Sequence, residues 1–237
     1  MAAASATSDY PRGNGTGGGG WTGADRALLL GLVAFAALRT ASLVFSPLEL
    51  GVDEAQYWLW STGFDFGYYT KPPLTSWIIG LSHSLFGHHE WAVRLPAPWL
   101  HLATSLVLWR AADWLAGPAA GRIAAMIWMT LPSIALGSFV ISTDTPLLLC
   151  WSAGVLALVG VLTGRLRERR GMLLAGGAFG AAMLAKYAAI YGLAGLALFV
   201  LATSVLSRDT ERQKVIGWRG LGLFALGMGA VASPNIL

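Results

Sequence analysis

Residues 48–74 read LELGVDEAQYWLWSTGFDFGYYTKPPL: two adjacent carboxylates, Asp53 and Glu54, then an aromatic run, then Lys71 before two prolines. This polar segment follows the first long apolar stretch of the chain, and its placement there decides how the rest is read. Around it the sequence is greasy. Of 237 residues, 55% are hydrophobic and 12% charged, against roughly 25% charged in an average soluble domain. The 11 tryptophans suit a chain whose indoles sit at a membrane interface. The single Cys150 lies in an apolar run, which excludes a disulfide framework and a cysteine-rich metal site.

Residues 1–25 are small, Gly-rich and almost uncharged, and read as a disordered cytoplasmic tail. No small-residue cleavage site closes the apolar stretch after it, so that stretch is expected to stay as a first helix rather than a signal peptide. A crossing helix takes about 20 apolar residues. That length selects 26–46, 92–113, 120–141, 145–163, 172–187, 188–206 and 216–235. The apolar segment 73–87 is shorter and punctuated by Thr75, Ser76, Ser82, His83 and Ser84. If it does not cross and the N-terminus is cytoplasmic, the cytoplasmic loops hold Arg12, Arg26, Arg110, Arg122, Arg165, Arg167, Arg169, Arg170, Arg208, Arg212, Lys214 and Arg219. These are 12 of the 16 basic residues, as the positive-inside rule requires. Segment 73–87 is therefore expected to lie at the outer surface as an interfacial or re-entrant helix. The expectation is an all-α polytopic membrane protein whose module 26–237 carries an outer loop at 47–91.

This topology brings Asp53, Glu54, Asp65, Lys71, Glu90, Asp144 and Lys186 to span ends on the outer side. Ionisable groups at such positions line wet cavities or mark functional sites. Each also has a plainer reading. Asp53 can serve as the N-cap of an amphipathic helix, with Glu54 favouring the helix dipole. Asp144 or Thr143 can cap a helix that has Pro146 in its first turn. Lys71 can snorkel to the interface, and Lys186 can sit in a turn between spans. The HHE at 88–90 lacks the spacing of a helical zinc site and reads as polar side chains facing water. Gly176 and Gly180 form a G-x-x-x-G, the signature of close helix packing. The arginine run at 165–170 reads as a topology determinant, not a nucleic-acid patch.

Four motifs in order, VDEAQYWLWS…YYTKPPL, RLPAPWLHLATSLVLWRAADWLAG, STDTPLLLCW and LAKYAAIY, resemble the polyprenyl-phosphate-sugar-dependent glycosyltransferases. These are the family-39 enzymes that include protein O-mannosyltransferases and lipid A aminoarabinose transferases. The resemblance runs from about residue 26 to the end. It implies a glycosyltransferase C-type helical bundle with about seven transmembrane helices and a juxtamembrane helix at 73–87. It also implies a sugar moved with inversion from a polyprenyl-phosphate donor to a hydroxyl of a lipid, glycan or protein acceptor.

In that family the first acidic residue of the outer loop is the catalytic base, which here is Asp53. Lys71 and Lys186 match the positions that meet the donor phosphate. Asp144 matches a second acidic position that binds a divalent metal ion or orders the site, a role Glu54 can share, while Tyr57, Tyr68 and Tyr69 would line the substrate. Members often carry another carboxylate just before the Lys-Pro, where this chain has Thr70. They also carry further helices beyond the point where this chain reaches SPNIL, so a C-terminally truncated chain is expected. Two other classes remain open: a multi-pass transporter, disfavoured because the charges gather at one face and no repeat is visible, and a non-catalytic subunit of the same fold.

Overall fold

The computed structural model describes residues 21–206 and 216–235. Most of the tail and the basic residues Arg12, Arg208, Arg212 and Lys214 lie outside them. The chain forms α1 (Gly23–Val44), α2 (Val52–Ser61), α3 (Leu74–Phe86), α4 (Glu90–Arg94), α5 (Pro96–Ala116), α6 (Pro118–Thr130), α7 (Pro132–Gly137), α8 (Asp144–Leu162), α9 (Glu168–Ala185), α10 (Ile190–Leu206) and α11 (Trp218–Ala232). There is no strand among the described residues. Helices α1, α5, α8, α9, α10 and α11, with α6 and α7 in series, occupy the seven stretches selected by length.

By length and apolarity alone three segments suffice to cross a membrane: Gly23–Val44, Asp144–Leu162 and Tyr187–Val205. The others fall short for visible reasons. Helix α5 carries Arg110 and Asp113 near its end, α9 opens on Glu168, Arg169 and Arg170, and α11 has only 15 residues. The expected span 120–141 is not one helix. It breaks at Leu131, whose ψ of 131° precedes Pro132, because a proline disfavours the helical conformation in the residue before it. The break removes the donor that a continuing helix would bring to the Met129 carbonyl. Arg39 of α1, buried at 5% exposure, replaces it with a 2.7 Å hydrogen bond from Nη2, while Nη1 donates to Ser138 at 3.0 Å.

Helix α1 starts at a reciprocal cap. The Asp25 N–H donates to Thr22 Oγ1 at 3.2 Å and the Thr22 N–H to Asp25 Oδ2 at 2.9 Å. Asp25 also pairs with Arg122 of α6 at 3.1 Å. One apolar core, with Leu32, Ala36, Leu102, Ala125 and Met129, joins α1, α5 and α6. A larger one, around Met172, Phe179, Val200, Phe224 and Met228, joins α8 to α11. A third, formed by Tyr57, Ile79, Val93, Ala97 and Ile141, carries α2, α3 and α4 on the end of α5.

The G-x-x-x-G of α9 packs as its pattern predicts. A Cβ on Gly176 would lie 2.1 Å from the Phe224 carbonyl oxygen, and one on Gly180 would lie 2.6 Å from that of Met228. Because both obstacles are α11 backbone, Gly176→Leu forces the helices apart and destabilises the protein by on the order of 3 kcal/mol. A Cβ on neighbouring Gly177 would meet only Val231 Cγ2 at 3.7 Å. Thermal unfolding in detergent is expected to show a lowered midpoint for Gly176→Leu and an unchanged one for Gly177→Ala.

Helix α3 has 13 residues, about 20 Å at 1.5 Å per residue, too short to span. It packs against α2, with Gly80 against Ser61. Its polarity is reversed relative to a soluble helix: Thr75, Ser76 and Ser82 are buried, while Leu81, Leu85 and Phe86 are exposed.

Candidate functional site

Asp53 and Glu54 are neighbours in the first turn of α2 and have opposite fates, since successive residues on a helix point about 100° apart. Gly51, not Asp53, is the N-cap. Glu54 turns inward and is 1% exposed. Arg94 of α4 grips it with two bonds, Nε to Oε1 at 2.9 Å and Nη2 to Oε2 at 2.7 Å. The Gly51 N–H adds a bond to Oε2 at 2.9 Å and the Ile141 N–H one to Oε1 at 3.1 Å. Arg94 also donates to the Leu48 and Glu49 carbonyls at 2.8 and 2.7 Å. One charge-assisted cluster thus ties four segments together: the strand of chain before α2, α2 itself, α4 and the loop into α8.

Asp53 turns the other way, into a cavity of about 370 Å³ shared with Tyr57, Lys71, Asp144 and Lys186. Four separate stretches supply these groups: α2, the α2–α3 loop, the start of α8 and the turn after α9. The α2–α3 loop places Lys71 through paired backbone bonds, from the Tyr68 N–H to the Lys71 carbonyl at 3.1 Å and from the Lys71 N–H to the Tyr68 carbonyl at 3.3 Å. Lys71 Nζ donates to Tyr57 Oη at 3.2 Å and lies 5.5 Å from the centre of that ring. The Tyr57 hydrogen bond holds the ammonium above its ordinary range, outweighing desolvation, with Asp53 and Asp144 adding attraction. Lys71 is a cation throughout the neutral range.

Asp144 opens α8, yet its carboxylate caps nothing. The side chain reaches Lys186 Nζ at 2.7 Å, and the Asp144 N–H is met instead by Ser142 Oγ at 3.2 Å. Lys186 follows α9, where an extended backbone (φ −157°, ψ 129°) ends the helix and turns the chain into a short 3₁₀ turn, Tyr187–Ala189. The plainer readings of Asp144 as a cap and of Lys186 as an idle turn residue therefore give way to an ion pair across the cavity.

Two of the expected substrate-lining residues, Tyr68 and Tyr69, lie outside this cavity. Tyr68 stacks on Trp60 with ring centres 5.1 Å apart and donates to the Gly63 carbonyl at 2.9 Å. It braces the loop from outside the cavity. Tyr69 is 97% exposed. Of the three expected tyrosines, Tyr57, 2% exposed, lines the cavity.

Arg94 and two backbone N–H groups occupy both oxygens of Glu54, so its carboxylate orders the segments around the cavity. Asp144 is held by Lys186, and no three His, Cys, Asp or Glu side chains converge among the described residues. Asp53 and Asp144 are the two carboxylates that line the cavity. At 88–90, His88 Nδ1 accepts from Trp58 Nε1 at 3.0 Å.

Sequence reasoning gave Arg94 only a side of the membrane, because its partner is 40 residues away. It also gave no role to Tyr187, which borders the cavity beside Lys186, or to Asn235. The Asn235 Nδ2 donates to the Phe66 carbonyl at 2.7 Å, fastening the end of α11 to the site loop.

The bundle gathers paired acids and amines at one end of its long helices. The family model described as dolichyl-phosphate-mannose-protein mannosyltransferase matches residues 70–236, and the chain belongs to that family. It is also 37% identical over 191 residues to the lipid A galacturonosyltransferase RgtD of Rhizobium johnstonii. That alignment takes in 78% of this chain and 39% of the relative, so the chain spans about two-fifths of the relative's length. No solved structure matches it.

Proposed function

We propose that the chain transfers a sugar, with inversion, from a polyprenyl-phosphate donor to a hydroxyl acceptor at the outer face of a membrane. The observation that carries this reading is the meeting of Asp53, Asp144, Lys71 and Lys186 in one cavity. Asp53 is the base. It is exposed to the cavity and takes the acceptor's proton as that oxygen attacks the anomeric carbon. The carbon–phosphate-oxygen bond breaks on the opposite face, which inverts the configuration.

A lipid phosphate leaves as an anion and needs charge stabilisation more than a proton. Lys71, held cationic beside Tyr57, and Lys186 supply it. Asp144 holds Lys186 until the phosphate arrives and competes for the ammonium. Glu54 and Arg94 position this machinery without touching substrate. The charge distribution of the loops supports the outer placement.

The relative's name makes a galacturonosyl group the first donor to try. Membranes containing the protein are to be incubated with labelled polyprenyl-phosphate sugars, the galacturonosyl donor among them, and the label followed into acceptor. Transfer with inverted anomeric configuration is the expected result. Transfer with retained configuration would reject the single-base mechanism, and label confined to the donor with every sugar would reject the reading as a whole.

A further inference from the structure

At the other end of α8 and α9 from the carboxylates, the turn between them builds a second cavity, of about 660 Å³. Arg165, Arg167, Arg169 and Arg170 form its polar wall, and Leu166, Leu173 and Leu174 its apolar wall. The turn is fixed by a 2.8 Å bond from the Leu166 N–H to the Gly160 carbonyl and by Gly164 at φ +71°, where a side chain would be strained. Arg165 lies 5.5 Å from the centre of the Trp114 ring. The acid within the run, Glu168, packs its carboxylate beside Gly220 of α11 and does not line the cavity.

On α9 the spacing is ordered. Arg169 and Leu173 are four residues apart, as are Arg170 and Leu174, so each arginine stands one turn above a leucine on the same face. Leu174 is 50% exposed. The positive-inside rule asks only for cations in a loop. It does not ask that they share a cavity with leucines, cations at the mouth and hydrocarbon beneath. That order, charge then grease, is the order of a phospholipid read from its headgroup inward. Guanidinium groups match phosphate oxygens with paired donors, and basic pockets between membrane helices bind anionic headgroups.

We propose that this cavity binds an anionic phospholipid, the arginines holding its phosphate and Leu166, Leu173 and Leu174 seating the start of an acyl chain. The proposal is independent of the sugar-transfer reading. The test is native mass spectrometry of the full chain released from detergent after addition of phosphatidylglycerol, phosphatidylcholine with the same acyl chains, or inorganic phosphate. Phosphatidylglycerol is expected to be retained at least tenfold more than phosphatidylcholine, and phosphate not at all. Arg169→Gln/Arg170→Gln should cut that retention about tenfold. Leu174→Asn leaves every charge, and so the insertion signal, in place, and should cut it about threefold.

Equal retention of the two lipids would overturn the proposal, as would an unaffected double variant. Phosphate bound as tightly as phosphatidylglycerol would make this a free-anion site and overturn the lipid assignment. If the double variant does not insert, the two lipids and Leu174→Asn decide.

Discussion

Asp53→Asn is expected to lower sugar transfer at least a hundredfold while the protein accumulates in membranes at its normal level. The first half follows from the proposed role: a positioned base contributes 10² to 10⁴ in rate, about 3–5 kcal/mol of barrier at 1.36 kcal/mol per decade. The second half follows from the surroundings. Asp53 makes no ion pair or side-chain hydrogen bond among the described residues, and it is exposed, so the amide leaves nothing unpaired. The loss should fall on kcat, because Lys71 and Lys186 still meet the donor. Asn at the wild-type rate would remove Asp53 from the chemistry.

The second large effect is on stability. Arg94→Met leaves the Glu54 carboxylate buried beside apolar neighbours and strips the Leu48 and Glu49 carbonyls of their donors. Breaking a buried pair by removing one partner costs about 3–5 kcal/mol. The variant should therefore unfold at a clearly lower temperature in detergent and accumulate poorly. Removing both charges with Glu54→Leu/Arg94→Met should recover much of that midpoint, since a buried pair replaced by apolar groups is near neutral. Activity should not return with it, because the tie between α2 and the loop before Asp144 is gone. An Arg94→Met protein as stable as wild type would show that the clamp does not hold the site together.

The long helices were legible because their apolar length is a local property. So was the tight packing of Gly176 and Gly180 on α11. The break in 120–141 was also local, since Pro132 announces it, but a length criterion passes over a proline inside an apolar run. The convergence of Asp53, Lys71, Asp144 and Lys186 followed from charge asymmetry and the family resemblance together. The division of labour between Asp53 and Glu54 did not. Which of two adjacent acids faces inward depends on the helical phase of α2, and the usable signal was Tyr57, three residues after Glu54 on the buried stripe. That Tyr68 and Tyr69 lie outside the cavity was not legible, because sequence proximity to Lys71 does not show which way a ring turns. Only the stacking of Trp60 on Tyr68 tells bracing from binding. Arg94 was illegible as a clamp, since no local pattern joins residues 54, 94 and 141.

The outward leucines of α3 bear on how the protein can be handled. Segment 47–91 looks water-compatible, an obvious choice for expression as a free peptide. In water, Leu81, Leu85 and Phe86 would present a sticky face, and Glu54 would have lost both Arg94 and Ile141. Such a peptide would clump or unravel before it could report on any ligand, so titrations and inhibitor screens belong in lipid or detergent with the whole chain present.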